Sequence, residues 1–305
     1  MFEWLADILH RGWGTVLVRP YVFVFLISYL AVSLMQIGWR RTLVFALLGF
    51  SFGFGSEYLS VRTGFPYGGY DYLSEATRDK ELWLGGVPAM ASLSFIFLTY
   101  AGYMTGLLAV PLRGRPPRSD PGASGTVVAP VEGRGLNLRF ADLEAALGSR
   151  WALLLGPLFT VLLDVVIDPV ALRGEHFFLG RLYRYHANGF YFGVPLSNFA
   201  GWLLVSFLIF LSFQVVDRWF RHFPQPGRGK KETKQAPALP GLALYVGILA
   251  FIVAVTFGIG AVKLGLISSA LSLGAVGLIW RRLVGYTHRK CRGDPVRSPA
   301  VGQGA

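Results

Sequence analysis

Apolar stretches long enough to cross a membrane recur along the whole chain. A membrane-spanning helix needs roughly 20 mainly apolar residues. The pattern predicts seven such helices, at 20–38, 42–60, 83–111, 150–171, 189–216, 240–262 and 264–281. Residues 2–18 instead have the spacing of an amphipathic helix that lies on the membrane surface, with Trp4 and Trp13 as interfacial anchors. The sequence therefore predicts an all-α, polytopic membrane helix bundle, with residues 1–305 forming a single membrane-embedded domain.

Lysine and arginine are unequally shared between alternate loops of this bundle. One set of loops, which includes the N-terminus, holds 9 of the 29 basic residues, and the other set, which includes the C-terminus, holds 20. Cytoplasmic loops carry the excess of basic residues. We therefore expect a multi-pass protein of the cell membrane with its N-terminus outside and its C-terminus in the cytoplasm.

The two sets of loops also differ in composition. Residues 113–135 and 224–240 are rich in Pro, Gly and basic residues and are interpreted as cytoplasmic linkers, and 288–305 as a flexible tail. The opposite loops, 61–82 and 172–188, are dense in Tyr, Gly, Pro, His and ionisable groups. Loops of this kind carry function more often than connectors do, so the candidate chemistry is expected at the outer end.

Composition narrows the classes of partner and cofactor. Hydrophobic residues make up 53% of the chain and charged residues 15%, against about 25% charged in soluble domains. The net charge of +12 comes from residues between and after the apolar stretches, so lipid headgroups and not nucleic acid are the expected counter-charge. The single cysteine, Cys291, excludes intramolecular disulfides, iron–sulfur ligation and a cysteine-based zinc site. With no nucleotide or redox motif present, no cofactor is expected.

The second and third predicted helices share an internal sequence similarity with the fourth and fifth. The pattern has two interpretations, a parallel internal repeat or chance matches in a Gly-rich apolar chain. An offset of 107 residues gives the matches Gly49 to Gly156, Phe52 to Phe159, Glu57 to Asp164, and 86–88 to 193–195. The repeat would place one carboxylate opposite another.

Three acidic residues lie inside predicted membrane helices. Glu57 follows a Gly- and Phe-rich run, and Asp164 and Asp168 are spaced to share one helix face just before Pro169. Ionisable residues in a membrane are costly and mark functional sites by default. The alternative is a structural role as a helix cap or as an ion pair at the headgroup level. We interpret these three residues as the candidate catalytic groups.

Polar and aromatic residues flank these acids in sequence. The loop 64–72 combines turn formers with tyrosines, which suits a lid or pocket wall, or alternatively an interfacial aromatic belt. His176 and His186 could join the carboxylates as metal ligands, although no metal-binding spacing supports this. The candidate substrate-binding residues are Tyr67, Tyr70, Asp71, Tyr191, Asn198 and Trp202.

Taken in order, these motifs resemble those of one family. The residues that carry the resemblance are Glu57, Gly64 to Tyr72, Gly86-Val87-Pro88, Asp164-x-x-x-Asp168-Pro169 and Tyr191 to Trp202. Over roughly residues 40–215 the chain resembles the CruF family of integral-membrane carotenoid 1,2-hydratases, which includes the bisanhydrobacterioruberin hydratases. The resemblance implies addition of water across the terminal C1=C2 bond of an acyclic ψ-end group, as in lycopene or γ-carotene.

The residues suit this chemistry. Hydration of the alkene needs a proton at C2, a tertiary cation at C1 and then water, with no metal or redox cofactor. A carboxylic acid in an apolar pocket can keep its proton at neutral pH, and two carboxyls in one pocket offer an acid and a base side by side. We expect Glu57 and Asp164 to form this pair, Asp168 to orient one of them, and Asn198 and Tyr67 to position water.

Two other classes of function remain open from the sequence. One is a metal-dependent intramembrane hydrolase or prenyl transferase that uses the three acids and His186. The other is a non-enzymatic isoprenoid-binding membrane protein. The expected partners are a carotenoid, water and membrane lipids. The pattern leaves open which polyene is used, whether one or both ends react, and the oligomeric state.

Overall fold

A computed structural model describes residues 2–73, 78–109, 131–132, 139–140, 146–173, 182–222 and 236–292. Within these ranges the chain folds into a bundle of long helices with short strands in its loops. The helices are α1 (Phe2–Val18), α2 (Pro20–Gln36), α3 (Trp39–Thr63), α4 (Ala89–Ala109), α5 (Ala152–Ala171), α6 (Leu196–His222), α7 (Leu239–Gly258) and α8 (Val262–Arg292). The strands are β1 (Tyr70–Tyr72), β2 (Trp83–Leu84), β3 (Val87–Pro88), β4 (Val131–Glu132), β5 (Arg139–Phe140), β6 (Tyr183–Tyr185) and β7 (Ala236–Pro237).

The predicted all-α membrane bundle is confirmed. Among the described residues, six helices (α3 to α8) are long and apolar enough to cross a membrane, and α1 with α2 adds a seventh span if that bent pair is counted as one. The two helices meet at 91°, with Arg19 between them and Pro20 in the first turn of α2. A right angle at this point agrees with the prediction that 2–18 lies across the end of the bundle.

Helix α4 is the centre of the bundle and is buried along almost its whole length. It packs against α3 and α5 and also touches α2 and α7. Its sequence has no continuous polar face, which is the pattern of a helix surrounded by protein on all sides. The other helices therefore wrap around α4, and the loops collect at the two ends.

Small residues set the distance between α4 and its two main neighbours. A methyl group added at Gly106 would come within 2.6 Å of the backbone of Gly156 on α5, and one added at Gly102 would meet Thr160. On the other side, Gly49 and Gly53 of α3 pack against α4, where a side-chain carbon would clash with Ile96 or Phe95. Gly49 and Gly53 thus form a contact face with α4, since small residues allow close approach of membrane helices.

The described parts of the loops lie in two separate end layers. At one end, β1 pairs with β6 and the buried Arg19 bonds to Glu81 at 2.8 Å. At the other end, Gln36 donates to the carbonyl of Pro237 at 2.8 Å, and β5 pairs with both β4 and β7. The strands at 131–132 and 236–237 fall within the two predicted linkers, so the linkers adopt strand structure at these positions.

Helix boundaries differ from the predicted ones where glycine and proline interrupt an apolar run. The predicted spans 83–111 and 189–216 begin too early, because 83–88 forms the β2–β3 hairpin and 189–194 forms a bridged turn before the helix. Gly86 and Gly193 have positive φ angles of 89° and 95°, and each precedes a Val-Pro pair that leads into α4 or α6. The two segments thus share local geometry at positions that the offset of 107 residues matches. Helix α8 also extends beyond the predicted span, into the predicted tail.

The close contact between α4 and α5 makes a testable prediction about stability. Substitution Gly106→Ala places a methyl group against the backbone of α5, which cannot move aside as a side chain could. We expect the free energy of unfolding in detergent to fall by about 1–3 kcal/mol, measured as a lower thermal unfolding temperature.

Gly247→Ala on α7 is the matched control, because a methyl group there meets nothing within 4 Å. It should leave the unfolding temperature unchanged or raise it slightly, since Ala is the better helix former. Equal unfolding temperatures for the two variants would contradict the predicted packing.

Candidate active site

Three carboxyl groups from two helices meet at one end of the bundle. Glu57 lies near the C-terminal end of α3, and Asp164 and Asp168 lie one turn apart near the C-terminal end of α5. All three are buried, with 9%, 4% and 5% of their surface exposed. Glu57 is close enough to both aspartates for their charges to interact. The structure therefore brings together the acids that the sequence places on separate helices.

Asn198 joins the two aspartates. Its Nδ2 donates to Oδ2 of Asp164 at 2.6 Å and to Oδ2 of Asp168 at 3.1 Å. The spacing of four residues puts both carboxyls on one face of α5, where a single amide can reach them. Because α6 begins at Leu196, Asn198 lies in its first turn and not two turns further into the bundle as expected from the sequence.

A small tyrosine-rich sheet closes this end of the bundle. Strand β1 reads Tyr-Asp-Tyr and β6 reads Tyr-Arg-Tyr, and the antiparallel register pairs tyrosine with tyrosine and Asp71 with Arg184. Successive side chains in a strand point to opposite faces, so all four tyrosines share one face while Asp71 and Arg184 are exposed on the other. We call this element the tyrosine sheet; its tyrosines are Tyr70, Tyr72, Tyr183 and Tyr185.

The tyrosine sheet donates hydrogen bonds to the carboxyl groups beneath it. The hydroxyls of Tyr70 and Tyr72 both donate to Oε2 of Glu57, the latter at 2.6 Å. Tyr185 donates to Oδ2 of Asp168 at 2.9 Å. Each helix that carries an acid is therefore covered by a phenol from the sheet.

These phenols stay protonated. Burial raises the pKa of Tyr70, Tyr72 and Tyr185 well above its usual range, and the nearby carboxylates raise each pKa further. A charged phenolate would be poorly solvated here and would also be repelled by the acids. The tyrosine sheet is thus a fixed set of hydrogen-bond donors over the whole physiological pH range.

An apolar cavity of about 150 Å³ reaches the acids from the interior of the bundle. Glu57 and Asn198 supply polar groups to its wall at one end, while Asp164 and Asp168 lie behind Asn198 and do not line it. Both hydrogen bonds to Glu57 end on Oε2, which leaves Oε1 without a tyrosine donor. Further aromatic lining residues are Tyr21 and Phe25 of α2, Phe97 of α4 and Phe251 of α7.

Aromatic rings form the cavity wall next to Glu57. The rings of Phe95 and Trp202 stack with centroids 4.2 Å apart and planes only 5° apart. Tyr67 packs against both rings, and its hydroxyl shares a 2.8 Å hydrogen bond with Ser56. The predicted pocket residues Tyr67, Tyr70, Asn198 and Trp202 all line this cavity.

Two predicted substrate-binding residues lie elsewhere. The side chain of Asp71 is 57% exposed and bonds to Nε2 of His186 at 3.0 Å, on the outer face of the tyrosine sheet. Tyr191 packs against Phe192 and Phe199 and does not line the cavity. Alternation along β1 turns Asp71 outward, so within loop 64–72 the tyrosines line the cavity and Asp71 does not.

The histidines do not join the acid cluster in the described part of the chain. His186 is exposed on the outer face of the tyrosine sheet, and His176 lies outside the described residues. No group of three or more His, Cys, Asp or Glu side chains among the described residues is placed to hold a metal ion. The three acids are instead held by one amide and three phenols.

Sequence analysis missed several residues of the site. Tyr72 and Tyr185 bond directly to the acids, and Tyr183 and Phe95 line the cavity. The signal that could have found the tyrosines is the repeated Tyr-x-Tyr spacing, which puts two rings on one face of a strand. Nothing in the spacing of Phe95 distinguishes it from other apolar residues of α4.

Fold and site together define a polytopic membrane protein with a buried carboxyl cluster at the end of an apolar cavity. A family model described as carotenoid biosynthesis protein matches residues 18–275. The chain belongs to this carotenoid biosynthesis protein family, so the resemblance found in the sequence is confirmed at family level and the protein has a role in carotenoid biosynthesis. Comparison with curated proteins and with solved structures gave no match.

The Asn198 bridge makes a prediction about stability. Asn198→Leu removes the donor that two buried carboxyl groups share, and leaving a buried polar group unsatisfied costs about 1–3 kcal/mol. We expect the free energy of unfolding in detergent to fall by about that amount, measured as a lower unfolding temperature. Ser206→Ala on the same helix is the control, because Ser206 bonds only within its own helix, to Trp202 and Leu203. If the two variants unfold at the same temperature, Asn198 does not hold the acids together.

Proposed function

We propose that this protein is a carotenoid 1,2-hydratase that acts on an acyclic ψ-end group, without a cofactor. The observation that carries the proposal is the position of Glu57 at the end of an apolar cavity, with the Asp164–Asn198–Asp168 cluster beside it. An apolar cavity suits a linear polyene end. The adjoining acids supply the proton transfers that addition of water requires.

Glu57 is the proposed acid. As a neutral carboxylic acid it accepts the two tyrosine hydrogen bonds on Oε2 and presents the proton on Oε1 to C2 of the polyene. Once that proton has left, the same two phenols stabilise the new carboxylate, because hydrogen bonds to a charged group are stronger than those to a neutral one. The donors are thus arranged to favour the state that forms during the reaction.

The aromatic wall is the proposed support for the cation. Protonation at C2 leaves a positive charge on the tertiary carbon C1. The ring faces of Trp202, Phe95 and Tyr67 lie beside Glu57 in the same cavity, and aromatic faces attract cations. The low water content of such a cavity also protects the cation from side reactions.

The Asp164–Asn198–Asp168 cluster is the proposed base. Water adds to C1, and the proton that it releases passes to this cluster, while Asn198 and the Tyr67–Ser56 pair hold the water in place. Return of this proton from the cluster to Glu57 restores the acid, so the net reaction consumes one water and one double bond and gives a tertiary alcohol. Asp168, held by Tyr185 and Asn198, orients Asp164.

The alternatives from the sequence receive no specific support. A prenyl transferase holds diphosphate through metal ions bound by several carboxylates, whereas here the three acids are bonded to amide and phenol donors. A binding protein needs the cavity but not a hydrogen-bonded acid cluster at its end. We further propose that this end of the bundle faces outward across the cell membrane, with the N-terminus outside and the C-terminus cytoplasmic.

Single substitutions of the acids test the proposal. In cells that make lycopene, Glu57→Gln and Asp164→Asn should each lower the yield of hydroxylated carotenoid by about 100-fold or more, the range lost with a general acid or base. Pigment extracts analysed for the mass gain of one water give the measurement.

Asp79→Asn is the matched control, since it neutralises an exposed carboxylate in the same end layer. It should retain the wild-type yield. Wild-type yields in both acid variants at equal expression would show that the acids are not catalytic, and a wild-type protein with no hydroxylated product would overturn the reaction itself.

A further inference from the structure

The reaction needs two substrates of opposite polarity. The polyene is apolar and dissolves only in the membrane, while water must come from the aqueous side. The apolar cavity gives the polyene a place to bind but offers few polar groups that could conduct water. The structure contains a second pocket, with more polar groups in its wall.

The second pocket, of about 390 Å³, lies along strand β6 of the tyrosine sheet and is lined by Tyr183, Arg184 and Tyr185. We call it the vestibule. Its wall includes two guanidinium groups, a side-chain amide and exposed residues of the loop after β6. Its lining residues include Arg173, Arg184, Ala187 and Asn188.

The vestibule and the cavity share a wall. Tyr183 and Tyr185 line both spaces. Of the two, Tyr185 also donates to Asp168, which Asn198 connects to Asp164. A continuous series of polar groups therefore runs from the vestibule through Tyr185 to the proposed base.

The charges around the vestibule are suited to neutral water. Arg173 is fixed by its bond to the carbonyl of Pro169 at 2.5 Å and lies over the ring of Phe192. Arg184 is exposed on the outer face of the tyrosine sheet. Two cations repel hydronium but hold water well. Hydration consumes one water and no net proton, so a path that admits water and disfavours hydronium matches its needs.

We propose that the vestibule is the water path of the enzyme and that Tyr185 is the positioning residue that separates it from the cavity. This inference rests on the proposed hydratase function. Water enters between Arg173 and Asn188, is held by the Tyr185 hydroxyl beside Asp168, and passes to C1 of the polyene. The oxygen bonds to C1, and the released proton goes to the carboxylate cluster. The polyene end occupies the apolar cavity, whose wall includes residues of α2 and α7.

Site-directed labelling tests the path. Replacement of the one cysteine by Cys291→Ser gives a background into which Ala187→Cys places a thiol at the vestibule. Reaction with a bulky methanethiosulfonate reagent should then lower the rate of lycopene hydration by the purified protein by about tenfold or more. The same label at Lys80→Cys, exposed in the same end layer but outside the vestibule, should leave the rate unchanged.

The outcomes separate the path from the proposed function. If the unlabelled Cys291→Ser protein hydrates lycopene and the fully labelled Ala187→Cys protein keeps that rate, the water path is wrong while the function stands. If the unlabelled background protein forms no hydrated product, the function fails and the path fails with it.

Tyr185→Phe gives a second, independent readout. It keeps the ring that forms the wall but removes the hydroxyl, so kcat should fall by about tenfold while KM for the polyene is unchanged. The solvent deuterium isotope effect on kcat should also rise, because delivery of water and its proton becomes slower. Tyr58→Phe, on the exposed side of α3, is the control. A change in KM alone for Tyr185→Phe would indicate a purely structural wall and would overturn the positioning role.

Discussion

Burial of three carboxyl groups in an apolar bundle is the constraint on which the rest of this structure depends. In hydrocarbon each such group needs hydrogen-bond donors or it destabilises the fold. Asn198 and three phenols meet that need for Glu57, Asp164 and Asp168. Helix α6 therefore begins where Asn198 can reach both aspartates, and the loop before α4 pairs with the loop before α6 in one sheet.

The tyrosine sheet links this constraint to function. Its inner face holds the acids, and its tyrosines divide an apolar space from a polar one. A hydrophobic substrate and water can then approach the same carboxyl groups from different sides. The glycines of α3 and α4 contribute by letting α4 lie close to both acid-bearing helices.

The sequence was sufficient for the parts of this account that depend on local pattern. Apolar length predicted the spans, and the cost of an acid in a membrane singled out Glu57, Asp164 and Asp168. The predicted starts of α4 and α6 were wrong, because apolar residues continue through the Gly-Val-Pro segments that precede these helices. Hydropathy does not reveal the turns at Gly86 and Gly193, which depend on positive φ angles of the backbone.

The hydropathy pattern could not predict which distant segments pair with each other. Strands β1 and β6 have three residues each and are separated by more than a hundred positions, so neither is stable or recognisable alone. The outward position of Asp71 and the bonds of Tyr72 and Tyr185 follow only from their register. Packing also decided that Phe95 stacks on Trp202, a contact between two helices that sequence spacing does not encode.

Isotope incorporation tests the central claim most directly. Purified protein in lipid, given lycopene in oxygen-18-labelled heavy water with no added cofactor, should form a product with labelled oxygen at C1 and deuterium at C2 of each reacted end. This result is required if a buried acid protonates the alkene and water captures the cation. A product whose new oxygen comes from dioxygen, or one without deuterium at C2, would contradict the account.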